Sequence, residues 1–78
     1  MAEAQTRTRA LVFTHHNCEY SAMLREELTG KGTQFDEVDL SQNPDRWDEV
    51  VELSGGDRIT PLMVAVDGTV EVGYHGIG

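Results

Sequence analysis

Apolar and polar positions alternate along the chain in blocks that predict six elements. Ala10-Leu11-Val12-Phe13 is a short, almost wholly apolar run, of the kind buried on both faces in the middle of an α/β sheet. It stops at Thr14-His15-His16-Asn17. Asn17 is a good N-cap and predicts a helix from Cys18. Tyr20, Met23, Leu24 and Leu28 then recur at helical spacing as one apolar face, and Gly30 and Gly32 end it. Gln34 to Leu40 alternates imperfectly and predicts a strand. Asn43, Pro44 and Asp45 supply a cap, a first-turn proline and an acid for the dipole of a second helix. Its face is Trp47, Val50, Val51 and Ser54, and Gly55-Gly56 stops it. Leu62 to Val66 is a buried strand by composition. Asp67-Gly68 is a two-residue hairpin turn, and Thr69 to Val72 returns with Val70 and Val72 on one face.

The order is β-α-β-α-β-β. Strands joined through a helix should be parallel with a right-handed crossover, and the last two should form an antiparallel hairpin. The expectation is an α/β fold with a four-stranded mixed sheet and helices on its faces. Seventy-eight residues make one domain, with a thin core for want of length. Residues 1–8 read as a frayed, solvated tail and residues 9–78 as the domain. The start carries no apolar core and is not a secretory signal.

A formal charge of −8 argues against nucleic acid and anionic membrane surfaces as partners. No apolar run approaches the roughly 20 residues a bilayer requires. The single cysteine cannot pair within the chain, which fits a reducing, cytoplasmic setting.

That cysteine carries the candidate chemistry. Cys18 stands where a helix begins, and unpaired backbone N–H groups and the positive end of the dipole favour thiolate over thiol there. The bland reading is a small buried hydrophobe. His15 and His16, when protonated, would add to the thiolate character, or they are solvated loop residues. Glu19 should oppose it. One Cys and three His without a ligand spacing do not predict a metal site.

Three stretches, in order, resemble the glutaredoxins. Val12-Phe13-Thr14-His15-His16-Asn17-Cys18-Glu19-Tyr20-Ser21 resembles the family's active-site segment. Gly56-Asp57-Arg58-Ile59-Thr60-Pro61 resembles the Gly-x-Arg-Thr-Val-Pro stretch that ends in a cis-proline. Asp67-Gly68 followed by Gly73-Tyr74 resembles the hairpin and the glycine turn after it. The short length and the Gly-Tyr-His-Gly ending are more specifically similar to the small Uxx-star glutaredoxin-like group, some members of which carry selenocysteine where this chain has Cys18.

The resemblance implies a thioredoxin-like fold lacking the family's last helix, and a thiol–disulfide oxidoreductase with Cys18 as nucleophile. Ser21 stands where dithiol members have a second cysteine, so the implied mechanism is monothiol, with Ser21 as a second catalytic residue that hydrogen-bonds the Cys18 sulfur. Glutathione or a similar small thiol would be co-substrate, no cofactor would be tightly bound, and disulfide-containing proteins would be the substrates. The thiol-binding residues it implies are His15, Tyr20, Arg58, Thr60, Pro61, Gly73 and Tyr74. Several have a plainer alternative. Tyr20 would otherwise pack as an apolar helix residue, Ser21 would only fill its turn, Pro61 would only start a strand, and Arg58 would pair with Asp57 or Glu52 on the surface. Trp47 reads as core. An iron–sulfur carrier, a redox sensor or an interaction domain on the same fold is the alternative function. The missing helix predicts an exposed apolar patch beside the first helix, and with it self-association as a homodimer.

Overall fold

The computed structural model describes residues 8–74. Most of the expected tail and the closing His75-Gly76-Ile77-Gly78 lie outside the described residues. A four-stranded sheet is built from β1 (Ala10–Thr14), β2 (Phe35–Asp39), β3 (Leu62–Val64) and β4 (Val70–Val72), in the order β2-β1-β3-β4. β1 and β2 are parallel, with Ala10 opposite Phe35 and Thr14 opposite Asp39. β3 runs antiparallel to both β1 and β4. The mixed sheet expected from the chain order is the one observed.

Helix α1 (Glu19–Lys31) joins β1 to β2, and α2 (Trp47–Ser54) follows β2. α1 runs through Gly30 and ends at Gly32, whose left-handed backbone (φ 74°) returns its N–H to the Leu28 and Thr29 carbonyls. The predicted second helix begins instead as one 3-10 turn over Pro44–Arg46. Asn43 holds the N-cap position of that turn as expected but makes no side-chain capping bond; its side-chain amide donates instead to the Asp39 carbonyl at 3.0 Å. The β3–β4 connection is also displaced by one residue. Gly68 donates its N–H to the Ala65 carbonyl at 2.9 Å, so Val66 and Asp67 form the turn and Gly68 follows at φ 92°. A three-residue loop with glycine in the left-handed position matches strand twist as the two-residue turn would.

The two faces of the sheet differ in size. On the α2 face Phe13, Leu40, Val50, Leu62 and Val64 form a buried cluster, flanked by Leu11, Val38, Trp47, Leu53, Val70 and Val72. Leu53, rather than Val51 and Ser54, completes the packed face of α2. On the α1 face the cluster is only Val12, Leu24 and Leu28, with Phe35, Met63 and Tyr74 half-buried against it.

The buried side of α1 is therefore Ser21, Leu24 and Leu28. Tyr20 and Met23, expected on that face, are 37% and 45% exposed. Leu24 and Leu28 are buried as the apolar pattern predicts, and Ser21 fills the position one turn earlier that the pattern assigns to Tyr20.

Candidate active site

β1 delivers the chain to the site. Thr14 at its end is buried and donates to Glu37 on β2 at 2.6 Å. The chain then turns over His15-His16-Asn17, closed by the Cys18 N–H donating to the His15 carbonyl at 3.0 Å. The Asn17 N–H donates to Nδ1 of His15 at 3.2 Å. These bonds displace the predicted cap by one residue. Cys18 is itself the N-cap, with extended backbone (φ −103°, ψ 112°), and its carbonyl accepts the first helical bonds from Ser21 and Ala22.

Cys18 is a free thiol at intermediate exposure. Its Sγ lies 3.5 Å from the Thr60 carbonyl oxygen, 42 residues away along the chain. The Thr60–Pro61 peptide bond is cis, as the resemblance implies. Pro61 is buried, and its carbonyl accepts the Gly73 N–H at 2.7 Å, where Gly73 has a φ of 80°. Cys18, Thr60, Pro61 and Gly73 thus converge from three separate segments.

Ser21 is buried to 1% exposure, and its oxygen accepts the His15 N–H at 3.2 Å. That leaves its own proton to donate towards the sulfur one turn away. Burial pushes the Cys18 thiol pKa up, but hydrogen bonds from the Ser21 and Thr60 hydroxyls and the Ser21 and Tyr20 backbone N–H groups outweigh it, and the net shift is downward. These bonds favour the charged form. Glu19, expected to oppose the thiolate, is not among the groups that move it.

The remaining predicted residues form two flanks. On one, the Tyr20 and Tyr74 rings stack with centroids 6.5 Å apart, and the Tyr74 hydroxyl donates to Glu27 at 2.8 Å. That bond, with lesser effects of burial and the Glu27 charge, raises the Tyr74 pKa. On the other flank the His15 and His16 rings stack at 4.9 Å, and His15 lies 6.3 Å from the Trp47 ring. The Arg58 guanidinium sits over Trp47, 4.6 Å from its centroid. Arg58 pairs with neither Asp57 nor Glu52. Trp47 was legible in the sequence only as core. Its contacts with His15 and Arg58 reach residues 32 and 11 positions away, and nothing local to it signals them.

The matching family model is Glutaredoxin, over residues 10–70. The chain belongs to the glutaredoxin family. Its fold matches the crystal structure of a glutaredoxin from Archaeoglobus fulgidus with a TM-score of 0.73 at 20% identity, over 85% of this chain and 75% of that one. No curated protein sequence matches. Glutaredoxins act on thiols and disulfides and generally use glutathione as co-substrate, and the thiol-bearing helix start described here lies within the matched region. Among the described residues no group of three or more His, Cys, Asp or Glu is placed to hold a metal ion, and no helix is long and apolar enough to cross a membrane.

Proposed function

We propose that this glutaredoxin is a monothiol oxidoreductase that exchanges mixed disulfides between protein thiols and glutathione or a similar small thiol. The observation that carries the proposal is the convergence on one sulfur. Cys18 caps a helix, lies 3.5 Å from the Thr60 carbonyl, has its thiol pKa lowered, and has a serine where a second thiol would be needed for an internal disulfide.

The Cys18 thiolate attacks the glutathione sulfur of a mixed disulfide. The old S–S bond breaks, the substrate leaves with the electron pair as a thiolate that takes up a proton, and Cys18 is left bound to glutathione. A second glutathione thiolate attacks the glutathione sulfur of that adduct, releasing oxidised glutathione and the Cys18 thiolate. Exchange of this kind runs through mixed disulfides and is fastest when the attacking thiol titrates near ambient pH. In this reading Thr60, whose carbonyl lies beside the sulfur, pairs with an extended thiol peptide, and Tyr20, Tyr74, His15 and Arg58 contribute to holding it.

The test is turnover of a glutathionylated peptide with excess glutathione, with mass spectrometry of the trapped intermediate. A single glutathione adduct on Cys18 and complete loss of turnover in Cys18→Ser are expected. Turnover that survives Cys18→Ser would overturn the assignment.

A further inference from the structure

The turn that presents Cys18 is held together at one residue. His15 donates its backbone N–H to the Ser21 oxygen at 3.2 Å and accepts the Cys18 N–H on its carbonyl at 3.0 Å. Its ring Nδ1 accepts the Asn17 N–H at 3.2 Å. The first bond leaves the Ser21 proton for the sulfur, and the other two close the chain over His16 and Asn17. An imidazole nitrogen accepts a hydrogen bond only while it carries no proton, and a doubly protonated ring has donors alone. The Nδ1 bond therefore requires a neutral ring with its proton on Nε2. Protonation sets an Nδ1–H against the Asn17 N–H, two donors with no acceptor between them, and the ring has to turn away. The titratable and charged groups around His15 come from every side. His16 stacks on it in the same turn, with centroids 4.9 Å apart, and Cys18 follows at the start of α1. Asp39 ends β2, its carboxyl held below the usual range first by the Ser41 hydroxyl and more weakly by the charges of His16 and His15. Arg58 lies across Trp47, whose ring is 6.3 Å from that of His15. None of these charges gives a protonated ring its acceptor back.

We propose that His15 is a positioning residue that serves Cys18 as a neutral hydrogen-bond acceptor: its unprotonated Nδ1 keeps the turn closed, and protonation of the ring releases the turn and slows the thiol. The proposal rests on the reading of Cys18 as a reactive thiol and adds a positioning residue and an acid limit to it. Its sign is opposite to that of a histidinium that favours the thiolate by charge. His15 acts here through the Asn17 N–H and the backbone of Cys18.

The experiment follows alkylation of Cys18 by uncharged iodoacetamide against pH in the full chain. Below its midpoint a thiol loses about one decade of rate per pH unit for its own ionisation. In the wild type the fall should be steeper than that between about pH 5 and 8, where imidazoles change charge. Loss of one hydrogen bond predicts an excess of about fivefold at the acid end. His15→Asn supplies a side-chain oxygen that can accept the N–H two residues on, as in an Asx-turn, and cannot be protonated. Its profile should follow the single-ionisation line. His15→Ala has no acceptor at any pH, so it should follow the same line at a rate about fivefold below His15→Asn. His16→Gln should keep the steeper fall. A wild-type profile on the line, or shallower than it, would overturn the proposal, as would equal rates in the Asn and Ala variants or steepness lost in His16→Gln. Nitrogen-15 spectra of the wild-type imidazoles decide even if a variant does not fold. They should show neutral His15 protonated on Nε2, and a proton on Nδ1 would overturn the proposal. If the wild-type thiol reacts at neutral pH no faster than free cysteine, the oxidoreductase reading fails and this proposal with it. A fast thiol that follows the line sinks the proposal alone.

Discussion

The two faces of the sheet do different work. The α2 face buries five apolar side chains and draws six more against them, whereas the α1 face buries three. Around its small cluster the α1 face carries polar groups instead: Thr14 on Glu37, Arg25 on the same carboxylate, and buried Ser21 beneath the thiol. Burial of apolar area is the main source of stability, so the α2 face supplies most of it. The thiol emerges where α1 begins, on the face that can spare apolar contacts for hydrogen bonds. A short chain has little surplus core, and here it is concentrated on the side away from the chemistry.

The most direct way to break this contrast is Phe13→Ala, which removes the largest fully buried side chain. It should cost about 3–5 kcal/mol, a large part of the roughly 4–12 kcal/mol expected for a chain of this length, and leave much of the protein unfolded in a denaturant titration. Leu28→Ala on the α1 face should cost about 2 kcal/mol, the low end for leucine, because fewer neighbours surround it. Equal losses at the two positions would mean that the faces share the stabilisation evenly.

Ser21→Ala separates structure from reactivity. Its stability cost should be about 1–2 kcal/mol, since the His15 N–H loses its acceptor. Its effect on the thiol should be an upward pKa shift, because the hydroxyl that favours the thiolate is gone. In the wild type the pKa is lowered, so alkylation of Cys18 should rise with pH through a midpoint below that of a free cysteine. In Ser21→Ala that midpoint should move up and the rate at neutral pH should fall. An identical pH profile would remove Ser21 from the thiol's environment. Turnover should nonetheless persist, because the proposed nucleophile is Cys18.

The smallest effect is expected from Tyr74→Phe. It deletes the hydroxyl donated to Glu27 but keeps the ring against Tyr20, so stability should fall by about 1 kcal/mol with little change in Cys18 alkylation. A change in alkylation larger than the change in stability would make the Tyr74 hydroxyl part of the site.

The architecture was legible because its signals are local and redundant. An apolar run marked β1, left-handed glycines at Gly32 and Gly55 closed the helices, and chain order gave the strand directions. The fine placement was not. Asn17 has the chemistry of a cap, but the His15 backbone and ring claim the N–H groups of Cys18 and Asn17 first, and the cap passes to Cys18. Ser21 looks like a surface residue by polarity, yet it is buried because its partners, the His15 N–H and the thiol, are polar too. The apolar stripe of α1 suggested Tyr20 and Met23 as core for the same reason: a pattern that counts only hydrophobes overlooks a serine whose hydrogen bonds are made inside. Trp47 and Arg58 lie eleven residues apart, and their meeting is a property of the finished fold.

The two outer strands have a consequence for how copies of this protein meet. A sheet that does not close into a barrel exposes a row of unpaired peptide groups along each rim, open to a strand from another molecule. Among the described residues one rim is β2, bearing Asp36, Glu37 and Asp39, and the other is the three-residue β4, with Glu71 at its centre. Each carries carboxylates of the same sign as the whole molecule, so rim-to-rim approach brings like charges together. The rims are guarded as long as those carboxylates are ionised, and protonating them in acid removes the guard from both at once.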